Sequence, residues 1–135
     1  IDNIINYVNI NPDTLHIYNS NNASDIDKIA TETASTNFLE NGFMTRIRLF
    51  RARGFENSAI LRRAPFDLVF ANILAKPLCR MAKEMYRCCK TKGVIVLAGI
   101  LNKQAKKVEN YYALNGFSRL SIIKKGEWTT IIMMK

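Results

Sequence analysis

The sequence predicts an α/β fold: a doubly wound, mostly parallel sheet that finishes in an antiparallel hairpin. Three observations predict it. Two nearly continuous apolar runs, Phe66-Asp67-Leu68-Val69-Phe70-Ala71 and Val94-Ile95-Val96-Leu97-Ala98, have the character of strands buried on both faces. Between and after them, apolar residues recur every three or four positions, as on one face of a helix. Two further strand-like runs meet at Lys125-Gly126, a short turn suited to a hairpin. Strands alternating with helices require right-handed crossovers, which lay helices on both faces of a sheet.

The opening 22 residues are rich in Asn and Ile and contain no glycine. Within them Thr14-Leu15-His16-Ile17-Tyr18 reads as a short strand and Asn19-Ser20-Asn21-Asn22 as a turn or loop. Residues 1–8 suit helix or strand equally, because periodicity cannot decide over so few positions. After Asp25 the pattern becomes regular. Ile26, Ile29, Ala30, Thr33, Ala34, Asn37 and Phe38 form a helical stripe, which Asn41-Gly42 stops with a left-handed cap. Arg46-Ile47-Arg48-Leu49-Phe50 then alternates like a strand.

Leu74, Leu78, Met81, Ala82, Met85 and Cys89 make a second stripe, with Pro77 tolerable in its first turn. Leu101, Ala105, Val108 and Tyr112 make a third, closed by Asn115-Gly116. Residues 117–123 and 128–133 are the final strands. The organisation is an atypical N-terminal segment, residues 1–22, followed by one domain over residues 23–135.

A chain of 135 residues is one domain by length, and 48% apolar with 23% charged residues is ordinary for a globular protein. No apolar stretch reaches 18 residues and no basic-then-apolar leader opens the chain. The expectation is a cytoplasmic protein, neither membrane-spanning nor secreted. Cys79, Cys88 and Cys89 lack zinc-ligand spacing and form no Cys-x-x-Cys, so they read as structural thiols in a reducing compartment, with no metal site. Charge is segregated. Residues 1–45 set Lys28 against six acids, a net −5, whereas residues 46–135 set nineteen bases against five acids, a net +14. That asymmetry fits an anionic partner such as RNA, or equally a solvated basic surface.

In doubly wound sheets ligands bind at the carboxyl ends of the strands. Two polar positions fall there. Asp25, in Ser24-Asp25-Ile26-Asp27, can accept both hydroxyl hydrogens of a ribose, or either aspartate can cap the following helix. Asn72, directly after Leu68-Val69-Phe70-Ala71, carries both donor and acceptor and can orient an amine, or it can cap the next helix. No Ser/His/Asp or Cys/His arrangement is present; the one histidine, His16, has no identifiable partner.

These residues carry a resemblance. Phe66-Asp67-Leu68-Val69-Phe70-Ala71-Asn72-Ile73-Leu74-Ala75 followed by Pro77-Leu78 resembles the fourth motif of the ribosomal protein L-eleven methyltransferase family (PrmA type). The segment from Gly93 to Gly99, with Ile100-Leu101 and Gln104-Ala105, is similar to its next strand and "SGIL…QA" stretch. Gly126-Glu127-Trp128 resembles its "GEW", and Ser24-Asp25-Ile26-Asp27 with Asn41-Gly42 its "DID…NG" helix. The resemblance runs in order over roughly residues 23–135. It implies a Rossmann-like class I methyltransferase sheet, truncated on its N-terminal side, with S-adenosylmethionine as methyl donor and amino groups of a ribosomal protein as substrate. By motif match Asp25 would bind the ribose and Asn72 would line the cofactor and amine pocket as the catalytic amide. Gly54 and Phe55 fall where the adenine edge is held.

The sequence departs from that pattern at one point. The family places a G-x-G-x-G loop before the acidic residue, where the chain turns close beside the donor and a side chain would block the approach. Residues 1–24 contain no glycine, which implies weakened donor binding. The family's first strand lies centrally in the sheet, so residues 1–8 or residues 15–18 must take its place or leave buried edges unpaired. The expected site is then a nucleoside-sized cleft on which Asp25 and Asn72 converge from the tips of adjacent parallel strands.

Overall fold

A computed structural model describes residues 14–18, 22–42 and 47–135. Thr14–Tyr18 forms β1 and Asn22–Asp25 forms β2. Helix α1, Lys28–Glu40, leads to β3, Arg48–Arg51, and the one-turn helix α2, Ser58–Leu61. Then come β4 (Phe66–Asn72), α3 (Ala75–Cys88), β5 (Cys89–Leu101) and α4 (Asn102–Leu114). The hairpin β6 (Ser118–Lys125) and β7 (Trp128–Met134) closes the chain. The seven strands lie in one sheet in the order β3-β2-β1-β4-β5-β7-β6. The α/β expectation holds, including the antiparallel hairpin. Residues 1–8, residues 19–21 of the expected turn and Arg46 lie outside the described residues; Asn22, read as the end of that turn, instead opens β2.

Thr14–Tyr18 takes the central position, and it runs backwards. It pairs antiparallel with both β2 and β4, whereas β2 with β3 and β4 with β5 are parallel. The cause is chain length. Only three residues link β1 to β2, and a parallel neighbour would need a crossover of about a dozen or more. A three-residue link permits a hairpin and nothing else.

The main core lies on the sheet face that α3 and α4 cover. Val69, Ala71, Ile95, Leu97, Ile131 and Met133 point to it from the strands and meet Leu78, Met85, Val108 and Tyr112 from the helices. Tyr112 is fully buried, and its hydroxyl donates to the Leu78 carbonyl at 3.0 Å, so the polar end of the ring is satisfied. The opposite face holds a second, smaller cluster in which Ala34 and Phe38 of α1 cover Ala23, with Ile47 and Leu49 at its margin. The stripe expected on α1 is therefore only half used. Ile29, in the first turn of the helix, is exposed because that turn projects beyond the short strands β2 and β3, and Ile26 precedes the helix altogether and is exposed as well.

Other boundaries differ by small amounts. The strand expected at residues 46–50 is Arg48–Arg51. Leu74 and Leu101, read as first members of stripes, occupy the N-cap positions of α3 and α4. Cys89 belongs to β5, where it is buried all the same.

Candidate functional site

The strand register fixes where the two predicted polar residues stand. Ser24 and Ala71 both face Leu15, and Asn72 faces Thr14. Asp25 and Asn72 are each one residue further on, so they lie level at the same end of the sheet. The pleat also sends both side chains to the same face, opposite the one that buries Ala71. They are not on adjacent strands as expected. β1 stands between them, which sets their backbones two strand spacings apart, about 10 Å.

Asp25 is buried, and its position is fixed locally. Its Oδ1 accepts from the Asp27 N–H at 2.8 Å, and its carbonyl accepts from the Ala52 N–H at 2.9 Å. Asp27 has a separate task. It is the N-cap of α1, and its carboxylate accepts from the Ile29 N–H at 2.8 Å, which satisfies one of the helix's free donors. The two aspartates divide the readings that the sequence left open: Asp27 caps the helix and Asp25 does not.

Asn72 ends β4. The cap position of α3 belongs to Leu74, and no side chain accepts there, so capping does not account for Asn72. Its side chain lies against Gly99, at a shift in the β5–β7 register. Gly99 has φ +72°, and a Cβ there would lie 2.5 Å from Asn72 Oδ1. Glycine at this position makes room for the amide. Gly99 was visible only as part of a motif; its contact with Asn72 depends on the register between two strands 27 residues apart, which no local pattern reports.

Gly54 follows β3, and the Ala52–Asp25 hydrogen bond draws that loop across the tip of β2. It has φ +55°, and a Cβ would meet Met81 Cε at 2.7 Å, so its smallness serves packing against α3. Phe55 is fully buried and stacks on Phe66 with ring centroids 6.3 Å apart. Its ring belongs to the core, and only its backbone remains for a ligand.

A polar clamp that sequence reading missed sits at the same end of the sheet. Asn102 Oδ1 accepts from Thr129 Oγ1 at 2.6 Å, Asn102 Nδ2 donates to the Gly126 carbonyl at 2.8 Å, and its N–H donates to the Glu127 carbonyl at 2.9 Å. These bonds tie the Gly126-Glu127 turn to the start of α4. A groove of about 620 Å³ lies elsewhere, between Thr31, Glu32 and Ser35 of α1 and the outer edge of β3; neither Asp25 nor Asn72 lines it. Burial pushes the Cys88 and Cys89 thiols up to about 11, which keeps them protonated and inert at neutral pH. Among the described residues no group of three His, Cys, Asp or Glu could hold a metal ion, and no helix is long and apolar enough to cross a membrane.

The strand order and the hairpin define a Rossmann-like methyltransferase sheet. Solved structures bear this out. A ribosomal protein L11 methylase from Lactobacillus delbrueckii subsp. bulgaricus superposes with a TM-score of 0.75 at 26% identity, over 83% of this chain and 56% of that one. A precorrin-6y C5,15-methyltransferase from Geobacter metallireducens shares the fold at 18% identity, with a TM-score of 0.64 over 84% of this chain and 65% of that one. The family described as ribosomal protein L11 methyltransferase (PrmA) matches residues 17–135, and the chain belongs to it. Ribosomal protein L11 methyltransferases from Chelativorans sp. and Sinorhizobium fredii are 39% and 40% identical over 113 residues, 84% of this chain. The chain spans about two fifths of the length of these relatives, 39% in each case.

Proposed function

We propose that this chain is part of a methyltransferase domain that uses S-adenosylmethionine to methylate amino groups of a ribosomal protein in the cytoplasm, and that as it stands it holds the donor weakly. The observation that carries the reading is the level placement of Asp25 and Asn72 on one face at one end of the sheet. A carboxylate fixed by the Asp27 N–H suits a ribose diol, and an amide with room beside Gly99 suits the hydrogens of an amine. When bound, the donor would supply an electrophilic methyl group. The protein's part would be alignment of the amine, since in-line displacement depends on approach more than on a strong base.

The residues present fit two edges of such a donor and not the whole. The family's glycine-rich turn leaves the central strand at the site end. Here the central strand begins at that end, with Thr14 level with Asn72, and its outgoing link lies at the far end. A turn that follows β1 would lie at the end of the sheet away from Asp25 and Asn72, where it cannot cradle the donor. Calorimetric titration with S-adenosylmethionine tests the reading. Heats indistinguishable from dilution up to millimolar donor are expected, and micromolar affinity would overturn the weak-binding claim. Assays with labelled donor against ribosomal proteins and ribosomal RNA separate the substrates; labelled RNA with unlabelled protein would favour an RNA methyltransferase of the same fold.

A further inference from the structure

The +14 charge of residues 46–135 is not spread evenly over the surface. Lys76, Arg80, Lys83 and Arg87 are all exposed and recur at intervals of four, three and four along α3, directly opposite the buried stripe of Leu78, Ala82 and Met85. The row is about 16 Å long at 1.5 Å per residue. Helix α4 packs beside α3 and adds Lys103 and Lys107, also exposed. Lys107 lies close enough to Cys79 to affect its thiol, which places it alongside the α3 row. Tyr111, one turn after Lys107, is 45% exposed.

This arrangement is costly for the folded chain by itself. Like charges three and four residues apart repel, and the only acid on α3 is Glu84. Four other cations have acidic partners: Lys28 with Glu32, Lys90 with Asp67, Lys106 and Arg119 with Glu109. None of those four ion pairs involves the α3 row, Lys103 or Lys107. Lys76 and Lys103 also sit in the first turns of their helices, where the dipole disfavours cations and no acid stands beside them in that turn. A polyanion lying across both helices would relieve the repulsion within the row and the dipole conflict together.

We propose that the outer wall formed by α3 and α4 binds the phosphate backbone of RNA. The inference rests on the reading that the partner is ribosomal, and it adds the surface by which RNA beside the target protein would be gripped. An anionic membrane fits less well, because the apolar stripe of α3 is turned into the core and leaves nothing to insert. The wall starts at the site end of the sheet, where α3 follows β4 and α4 follows β5. A bound strand would therefore run away from Asn72 along the molecule.

The experiment is fluorescence anisotropy of the 135-residue chain with a labelled RNA duplex of about 20 base pairs, at salt from about 50 to 200 mM. Binding that weakens steeply with salt is expected. The triple variant K76E/R80E/K83E should lose at least about 30-fold in affinity, and its log–log salt slope should become shallower by about two to three units. The variant R48E/R62E/K92E carries the same change in net charge away from the wall and should lose less than about threefold. If the first variant fails to fold by circular dichroism, K76Q/R80Q/K83Q replaces it, with a smaller loss in the same direction. Equal losses in both variants, salt-insensitive binding, or tighter binding to phosphatidylserine-containing vesicles than to RNA would overturn the proposal. No methyl donor enters the assay, so a failure of the labelled-donor assays would sink the proposed activity and leave this surface standing.

Discussion

On one side of β1, strands β4, β5 and β7 share a continuous core with α3 and α4; on the other, β2 and β3 share with α1 a small cluster of Ala23, Ala34 and Phe38, with Leu49 at its margin. The first side buries Val69, Ile95, Leu97 and Met133 and satisfies the hydroxyls of Tyr112 and Thr129 that it encloses. The second buries Asn22, Ser24 and Asp25, and among the described residues leaves Asn22 Nδ2 and Ser24 Oγ without a hydrogen-bond partner. The candidate site draws one residue from each side. Its two edges are thus held by unequal supports, with Asn72 on the firm half and Asp25 on the soft one.

That contrast can be broken in several ways, beginning with the largest effect. Leu97→Ala should destabilise the chain by about 3–5 kcal/mol, since Leu97 is fully buried among side chains that cannot collapse onto the gap. Phe38→Ala, at the margin of the small cluster, should cost clearly less; denaturant melts of the two variants compare the halves directly, and equal costs would erase the distinction. Gly99→Ala should cost about 1–2 kcal/mol from its φ of +72°, and it should also shift the Asn72 side-chain amide resonances by displacing Oδ1.

Raising the pH attacks only the firm half. Burial raises Cys88 and Cys89 from 9.0 to about 11, so the folded state keeps protons that the unfolded chain loses. Stability should be unaffected by these thiols below pH 9 and should fall between pH 9 and 11. Urea midpoints that stay flat across that window in the wild type would contradict it, and Cys88→Ala should reduce the fall. The smallest effect belongs to Ser24→Ala. Removing a buried hydroxyl that has no partner should leave stability unchanged or raise it by up to about 1 kcal/mol, whereas a loss of that size would mean the hydroxyl is bonded after all.

How much of this was legible depends on how local each feature is. The apolar runs through Val69 and Ile95 name buried strands by themselves, and the stripe Leu78, Ala82, Met85 names the inner face of α3, because burial on one element leaves a periodic trace. Asp25 and Asn72 were readable as strand ends for the same reason. What failed concerned relations between elements. The stripe on α1 overstated burial, since Ile29 satisfies the period but meets no strand long enough to cover it. The burial of Phe55 was not legible either, because a loop aromatic carries no sign of the Phe66 ring it stacks on. The direction of β1 was in principle accessible: three residues between two strands already forbid a parallel crossover.

That direction decides whether the site end has a turn to close over a donor, and it can be measured alone. Antiparallel neighbours bring opposed α-hydrogens into close contact, whereas parallel neighbours do not. In a ¹³C-edited NOE spectrum of the labelled chain, α-hydrogen cross-peaks are expected from β1 to both neighbours, among the facing pairs Leu15–Ser24, His16–Ala23, Leu15–Ala71 and Ile17–Val69. A spectrum with only the amide-to-α contacts of parallel pairing, or with β4 bonded directly to β2, would contradict the account.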